Sequence, residues 1–232
     1  MWLLALVLAA SPVPAESRQL LLSLNDGWDG ASARVQLFER AAADARWTAV
    51  GEPLQASFGR AGLAWGRGLH SPQPEGPQKR EGDGRSPAGV FDLRLLLGYE
   101  AAAPTGTRLP YRQSTPTLRC VDDAASRHYN TLAEDPGEAR DWRSAEEMRR
   151  KDDLYRLAVW VGHNDAPVEP GAGSCIFLHL RAAPSDTTSG CTAFEAAPFE
   201  GLLRRLDPAR RPVLVQLPES ARRRLASEWG LP

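Results

Sequence analysis

The apolar positions fall mostly at the spacing of strands. Residues 19–24, 33–38 and 47–58 alternate or cluster apolar side chains around turn signals such as Asn25-Asp26-Gly27, and each reads as a strand. Ser86-Pro87-Ala88-Gly89-Val90-Phe91-Asp92-Leu93 reads as a tight turn feeding another strand. Residues 154–161, 175–180 and 213–217 are further β-forming runs. Helical spacing is confined to short stretches. Residues 198–206 suit a short amphipathic helix, and residues 220–229 a closing helix with Arg222-Arg223-Arg224 turned outward. Ser144-Ala145-Glu146-Glu147 fits a capping box, which predicts a helix from there to about Asp152. Between these, residues 71–84 are rich in Pro, Gly and charge and read as an exposed loop with no core of its own. Residues 101–113 are loop-like, and 121–141 mix turns with short helical stretches. The expectation is a mostly β core with peripheral helices, closed into a sandwich or barrel.

Composition narrows the function classes. The 232 residues are 42% hydrophobic and 25% charged with a net charge of −1, which suits a single globular domain. A near-neutral balance argues against nucleic acid as a partner, since phosphate neutralisation needs a concentrated basic face. The basic residues are nearly all arginine, a habit of composition with no chemistry attached to it. The apolar run over residues 1–10 is too short to span a bilayer, which takes roughly 20 residues. Ser11-Pro12-Val13-Pro14-Ala15 follows it, and Val13 and Ala15 offer a small-residue cleavage site before Glu16. Residues 1–15 therefore read as a signal peptide, although no Lys or Arg precedes the run. The alternative is a buried N-terminal strand or helix. Export to the periplasm or cell envelope, with no membrane span in the mature form, leaves residues 16–232 as one domain with a C-terminal helical and strand extension. Three cysteines, Cys120, Cys175 and Cys191, would then sit in an oxidising compartment where thiols pair. An odd count leaves one over. Pairing Cys120 with Cys175 is the choice that frees Cys191, and the count alone does not make that choice.

The chemistry concentrates in Gly171-Ala172-Gly173-Ser174-Cys175-Ile176-Phe177-Leu178-His179 and Ser185-Asp186-Thr187-Thr188-Ser189-Gly190-Cys191-Thr192. A β run ends in His179, and a loop of small and polar residues returns the chain to Cys191. A thiol with an ordinary pKa near 8.5 is only a few per cent thiolate at neutral pH. An imidazole that takes its proton makes it a nucleophile and later returns the proton to a departing amine. Cys191 is thus the candidate nucleophile and His179 its base. Gly190, with Ser189 beside it, lets backbone amides approach a developing oxyanion. His163 and Asn164 are candidate substrate contacts, since both hydrogen-bond peptides. Asp122 and Asp123 are candidates for an ammonium group, against a plainer reading as solvated loop acids.

The combination resembles the YkuD-like L,D-transpeptidase signature, a histidine after a strand followed by Ser/Thr-x-Gly-Cys, here Thr188-Ser189-Gly190-Cys191. Upstream, Gly82-Asp83-Gly84-Arg85-Ser86-Pro87-Ala88-Gly89-Val90-Phe91 is similar to the family's Thr-Pro-x-Gly-x-Phe turn. Cys120-Val121-Asp122-Asp123, Tyr129-Asn130, Gly162-His163-Asn164 and Gly171-Ala172-Gly173-Ser174-Cys175 resemble an exported bacterial branch. The resemblance covers about half of the chain. It implies a β-sandwich catalytic domain that acts on peptidoglycan stem peptides. Attack at the bond between an L-centre and a D-residue forms a thioester, which an amine then resolves, with no metal or organic cofactor. The family's commonest form places an apolar residue and then arginine after the cysteine, whereas Thr192 and Ala193 stand here. How a substrate carboxylate is gripped is therefore open. One alternative is an L,D-carboxypeptidase or cysteine peptidase that resolves the thioester with water. Another is a non-catalytic envelope protein that binds peptidoglycan or uses His163, His179 and Cys191 as zinc ligands, without Cys-x-x-Cys or His-x-x-x-His spacing to support it. Gly82 and Gly84 lack the strand–turn–helix context of a nucleotide loop.

Overall fold

Burial of the apolar face of each strand bends the main sheet until it closes. The computed structural model describes residues 11–232. Its strands are β1 (Gln19–Asn25), β2 (Ser32–Glu39), β3 (Thr48–Ser57), β4 (Leu63–Trp65), β5 (Ser86–Gly98), β6 (Tyr111–Gln113), β7 (Leu118–Val121), β8 (Leu132–Glu134), β9 (Ala145–Glu147), β10 (Leu157–Val161), β11 (Phe177–Leu180), β12 (Thr192–Phe194) and β13 (Pro212–Pro218). Two α-helices, α1 (Ala196–Arg205) and α2 (Glu219–Trp229), and two short 3-10 turns at Gly137–Ala139 and Pro208–Arg210 complete the described elements. The main sheet runs β10-β11-β12-β3-β2-β1-β13-β5, and β5 pairs back onto β10. The long strand β5 makes this closure by using residues 89–92 against β13 and residues 93–98 against β10. The fold is mostly β, with a barrel- or sandwich-like sheet, and ring closure leaves those strands without a free edge. A separate three-stranded sheet, β8-β7-β9, lies outside this ring.

Two cores follow from the two-residue period of the strands. Leu178 and Leu180 of β11, with Leu157, Val159 and Val161 of β10, enter the main core. The intervening Phe177 and Ala158 face the other way, into a smaller core shared with Leu118 and Cys120 of β7, Met148, Tyr155, Cys175 and Cys191. The cysteine is thus set where the closed sheet meets the small one. Helix α1 buries Phe199, Leu202 and Leu203, and α2 buries Ala221, Leu225 and Trp229. The C-terminal helices and strand match expectation closely, because their apolar spacing is unambiguous. Arg223 and Arg224 are exposed as expected, while Arg222 is half-buried and pairs with Glu219 at 3.0 Å.

Two local expectations are corrected. The predicted helix from Ser144 is instead strand β9, in which Ala145, Glu146 and Glu147 pair with Val121, Cys120 and Arg119. Only Met148 in this stretch is fully buried, so no apolar helical face exists to outweigh the pairing. The strand after Cys175 starts at Phe177, because Cys175 itself has φ +55°. Residues 71–84 form a mostly exposed loop as expected, with Lys79 buried inside it and its Nζ donating to Asp83 Oδ1 at 2.6 Å. Of the expected signal peptide, residues 1–10 lie outside the described residues. Further along, Val13 packs in the main core and Ser11 Oγ donates to the Trp229 carbonyl at 2.7 Å. Among the described residues no helix is long and apolar enough to cross a membrane.

Candidate active site

Cys120 and Cys175 are joined by a disulfide, and Cys191 is a free thiol. The bridge ties β7 to the segment that leads into β11. Asn130 reinforces this, donating to the carbonyls of His163 and Asn164 at 2.9 and 2.8 Å while its Oδ1 accepts from Cys175 N at 2.9 Å. Glu81 Oε2 accepts from the Tyr129 hydroxyl at 2.5 Å and from Ser174 Oγ at 2.6 Å. The scattered stretches 81–84, 120–130, 162–164 and 171–175 therefore converge into one braced wall.

Against that wall lies a cleft of about 500 Å³ lined by both His179 and Cys191. Cys191 stands immediately before β12, which runs parallel to β11 with His179 opposite Ala193. Its backbone is pinned twice, the carbonyl accepting from Ser86 Oγ at 2.8 Å and from Thr188 Oγ1 at 2.7 Å. Gly190 before it has φ +156°, and a Cβ there would stand 3.1 Å from the Arg85 carbonyl oxygen. The glycine is thus required by both conformation and space. Its amide is taken by Thr188 Oγ1 at 3.1 Å. Ser189 is exposed on the cleft rim, where its Oγ accepts from Arg60 Nη1 at 3.0 Å.

The imidazole of His179 is held in one tautomer. Nδ1 lies 2.7 Å from the Leu180 carbonyl, so it carries the proton and Nε2 is left as the acceptor. Burial lowers its pKa to about 4, so the ring is neutral at physiological pH. Burial raises the thiol to about 12, with the carboxylate of Glu146 pushing in the same direction. The resting pair is thus neutral thiol and neutral imidazole. Cys191 Sγ accepts from Phe177 N at 3.3 Å and donates to the Cys175 carbonyl at 3.5 Å, and no hydrogen bond joins it to His179 in this state.

Neither His163 nor Asn164 lines the cleft with Cys191. His163 is 1% exposed; its Nδ1 accepts from Arg67 N at 3.2 Å and its Nε2 faces the Ala172 carbonyl at 3.1 Å. Asn164 spends its side chain on backbone groups of Glu169 and Gly173. Both close the 162–173 loop upon itself, because buried polar atoms must find partners. Asp123 accepts from the Ala125 and Arg143 amides, whereas Asp122 lines the cleft and its Oδ1 is buried without a partner. The zinc trio does not assemble, and among the described residues no group of three or more His, Cys, Asp or Glu is arranged to hold a metal ion.

Sequence reasoning missed Arg60, Glu81, Glu146, Arg150 and Tyr155, all on the cleft wall. Tyr155 is the most informative, its ring packing edge-on to His179 at 4.9 Å while its hydroxyl donates to Glu146 Oε2 at 2.6 Å. The capping-box pattern of residues 144–147 places Glu146 at a helix start, which hides its place on the cleft wall. No local signal ties Arg60, far upstream, to Ser189. No family model, no curated protein and no solved structure matches this chain.

Proposed function

We propose that the chain is an exported cysteine acyltransferase of the YkuD-like L,D-transpeptidase type that acts on peptidoglycan stem peptides. The observation that carries this reading is one free thiol and one tautomer-fixed imidazole lining the same cleft, with the other two cysteines consumed in a bridge. The disulfide supports an oxidising compartment, as in the periplasm or cell envelope. A closed, mostly β domain with the cysteine in a groove agrees with the fold that the resemblance implies.

In the proposed reaction the stem peptide lies along the cleft with its scissile carbonyl over Cys191. Nε2 of His179 receives the thiol proton as sulfur bonds to that carbonyl carbon. Thr188 already occupies the Gly190 amide, which leaves the Cys191 amide to meet the oxyanion. The imidazolium then protonates the departing amine, and a thioester remains for an incoming amine. Arg60 offers the guanidinium that the residues after Cys191 do not provide, at the rim beside Ser189. Asp122, Glu81 and Glu146 give the opposite wall acidic character, suited to an ammonium group on donor or acceptor.

Incubation of purified protein with a disaccharide-tetrapeptide tests this. Cross-linked dimers are the expected product. Tripeptide alone would replace transfer by hydrolysis, and unchanged substrate would remove the peptidoglycan reading.

A further inference from the structure

The cleft contains a tyrosine–carboxylate pair to which the scheme above gives no part in proton transfer. Tyr155 is buried (5% exposed) and sits between the three chemically active groups. Its hydroxyl bonds to Glu146 Oε2 at 2.6 Å, its ring edge meets His179 at 4.9 Å, and it lines the cleft and packs in the small core together with Cys191. The ring is fixed by Phe177 at 5.5 Å and by the Arg150 guanidinium at 5.1 Å. Two separate elements thus bring this pair into the cleft that holds the thiol: strand β9 brings Glu146, and the turn before β10 brings Tyr155.

We propose that Tyr155 and Glu146 form a second proton path from Cys191, alongside His179. The S–H bond breaks and its proton bonds to the Tyr155 oxygen. In the same step the phenol's own proton passes to the Glu146 carboxylate. Sulfur keeps the bonding electron pair as thiolate, tyrosine remains a phenol, and Glu146 becomes a carboxylic acid. The reverse transfer returns the proton when a leaving group needs it. This deepens the reading of Cys191 as nucleophile and rests on it, but not on the identity of the peptide.

The electrostatic setting supports the assignment. Glu146 is faced by Tyr155, Asp122, Arg150 and Glu81, and burial with the acidic neighbours raises its pKa to about 7. The thiol is faced by Glu146, Tyr155 and Lys79. A carboxylate near 7 is a better match to a buried thiol than an imidazole near 4, because proton transfer is easiest between groups of similar basicity.

Alkylation of Cys191 by iodoacetamide, followed by intact mass between pH 5 and 10 on the full chain, tests the path without any peptide. The bridge leaves this thiol as the reactive one. The wild type is expected to show a rise in rate with an inflection near pH 7. Glu146→Gln and Tyr155→Phe should each lose that inflection and react about tenfold more slowly at pH 8, as expected for loss of one acid–base group. The double variant should be no slower than either. The sign is decisive: if Glu146 acts only as a negative charge beside the sulfur, Glu146→Gln speeds alkylation. Equal or faster reaction in Glu146→Gln, or an inflection that persists in Tyr155→Phe, overturns the proposal. Tyr155→Phe keeps the ring against His179 and Phe177, and thermal melting checks that each variant is folded. A wild type that resists alkylation throughout would overturn the nucleophile itself, whereas failure on the disaccharide-tetrapeptide alone leaves this result standing.

Discussion

Reducing the Cys120–Cys175 bridge should cost this domain more stability than any single side chain does. The bridge closes a loop of 55 residues. In the chain-entropy treatment, cross-linking a loop of that length stabilises the fold by about 4 kcal/mol at 25 °C. Both cysteines are buried, at 0% and 1% exposure, so the reduced form is best made by reduction in denaturant and refolding under reducing conditions. Urea unfolding followed by tryptophan fluorescence then compares the two forms. With an unfolding slope of about 2 kcal/mol per molar, the midpoint should fall by about 2 M. The loss should extend beyond β7, since Cys175 lies at the base of the strand that carries His179. Coincident midpoints, with the bridge verified by mass in the oxidised sample, would refute the claim that this crosslink braces the cleft wall.

Three further outcomes follow from the geometry. Asn130→Ala strips partners from two buried carbonyls and the Cys175 amide and should cost about 3 kcal/mol; urea denaturation reads it, and a loss under 1 kcal/mol contradicts the bracing role. Gly190→Ala puts a Cβ 3.1 Å from the Arg85 carbonyl oxygen at a φ of +156°; a loss of about 1–3 kcal/mol, together with slower alkylation of Cys191, is expected from melting and mass measurements, and an unaffected variant would contradict it. Stability should fall on acidification. His70, His163 and His179 have pKa values lowered by burial to about 4, 3 and 4, so the unfolded chain binds more protons as pH drops below about 6.5. Glu146, raised to about 7, acts in the opposite direction between its ordinary range and neutrality, but it is one group against three. The urea midpoint should therefore decline steadily from pH 6.5 to pH 4, and a flat profile there would show that these rings are not buried neutral.

Much of the frame was legible because its signals are local. Strands β1, β2 and β13 and both helices carry clear local apolar patterns, and the Gly190-Cys191 step declares itself through the need for a residue without Cβ. What was not legible depends on distant pairing. Glu146 sits in a tetrad with capping-box chemistry, and only pairing with Cys120 and its neighbours on β7 makes the segment a strand. His163-Asn164 looked like peptide-binding chemistry, but burial turned both side chains onto their own loop. The partnership of Tyr155 with His179 crosses from a turn to a strand, with no spacing rule to announce it. The ring closure by β5 is equally non-local, since one long strand serves two neighbours in succession.

The central claim is that Cys191 attacks a carbonyl carbon with His179 as its base, and acylation by a carbapenem tests it most directly. Intact mass of the wild-type protein should gain one drug equivalent, the Cys191→Ala variant should gain none, and His179→Ala should acylate far more slowly while melting as a folded domain. An adduct that persists in Cys191→Ala, or full-speed acylation without His179, would contradict the account.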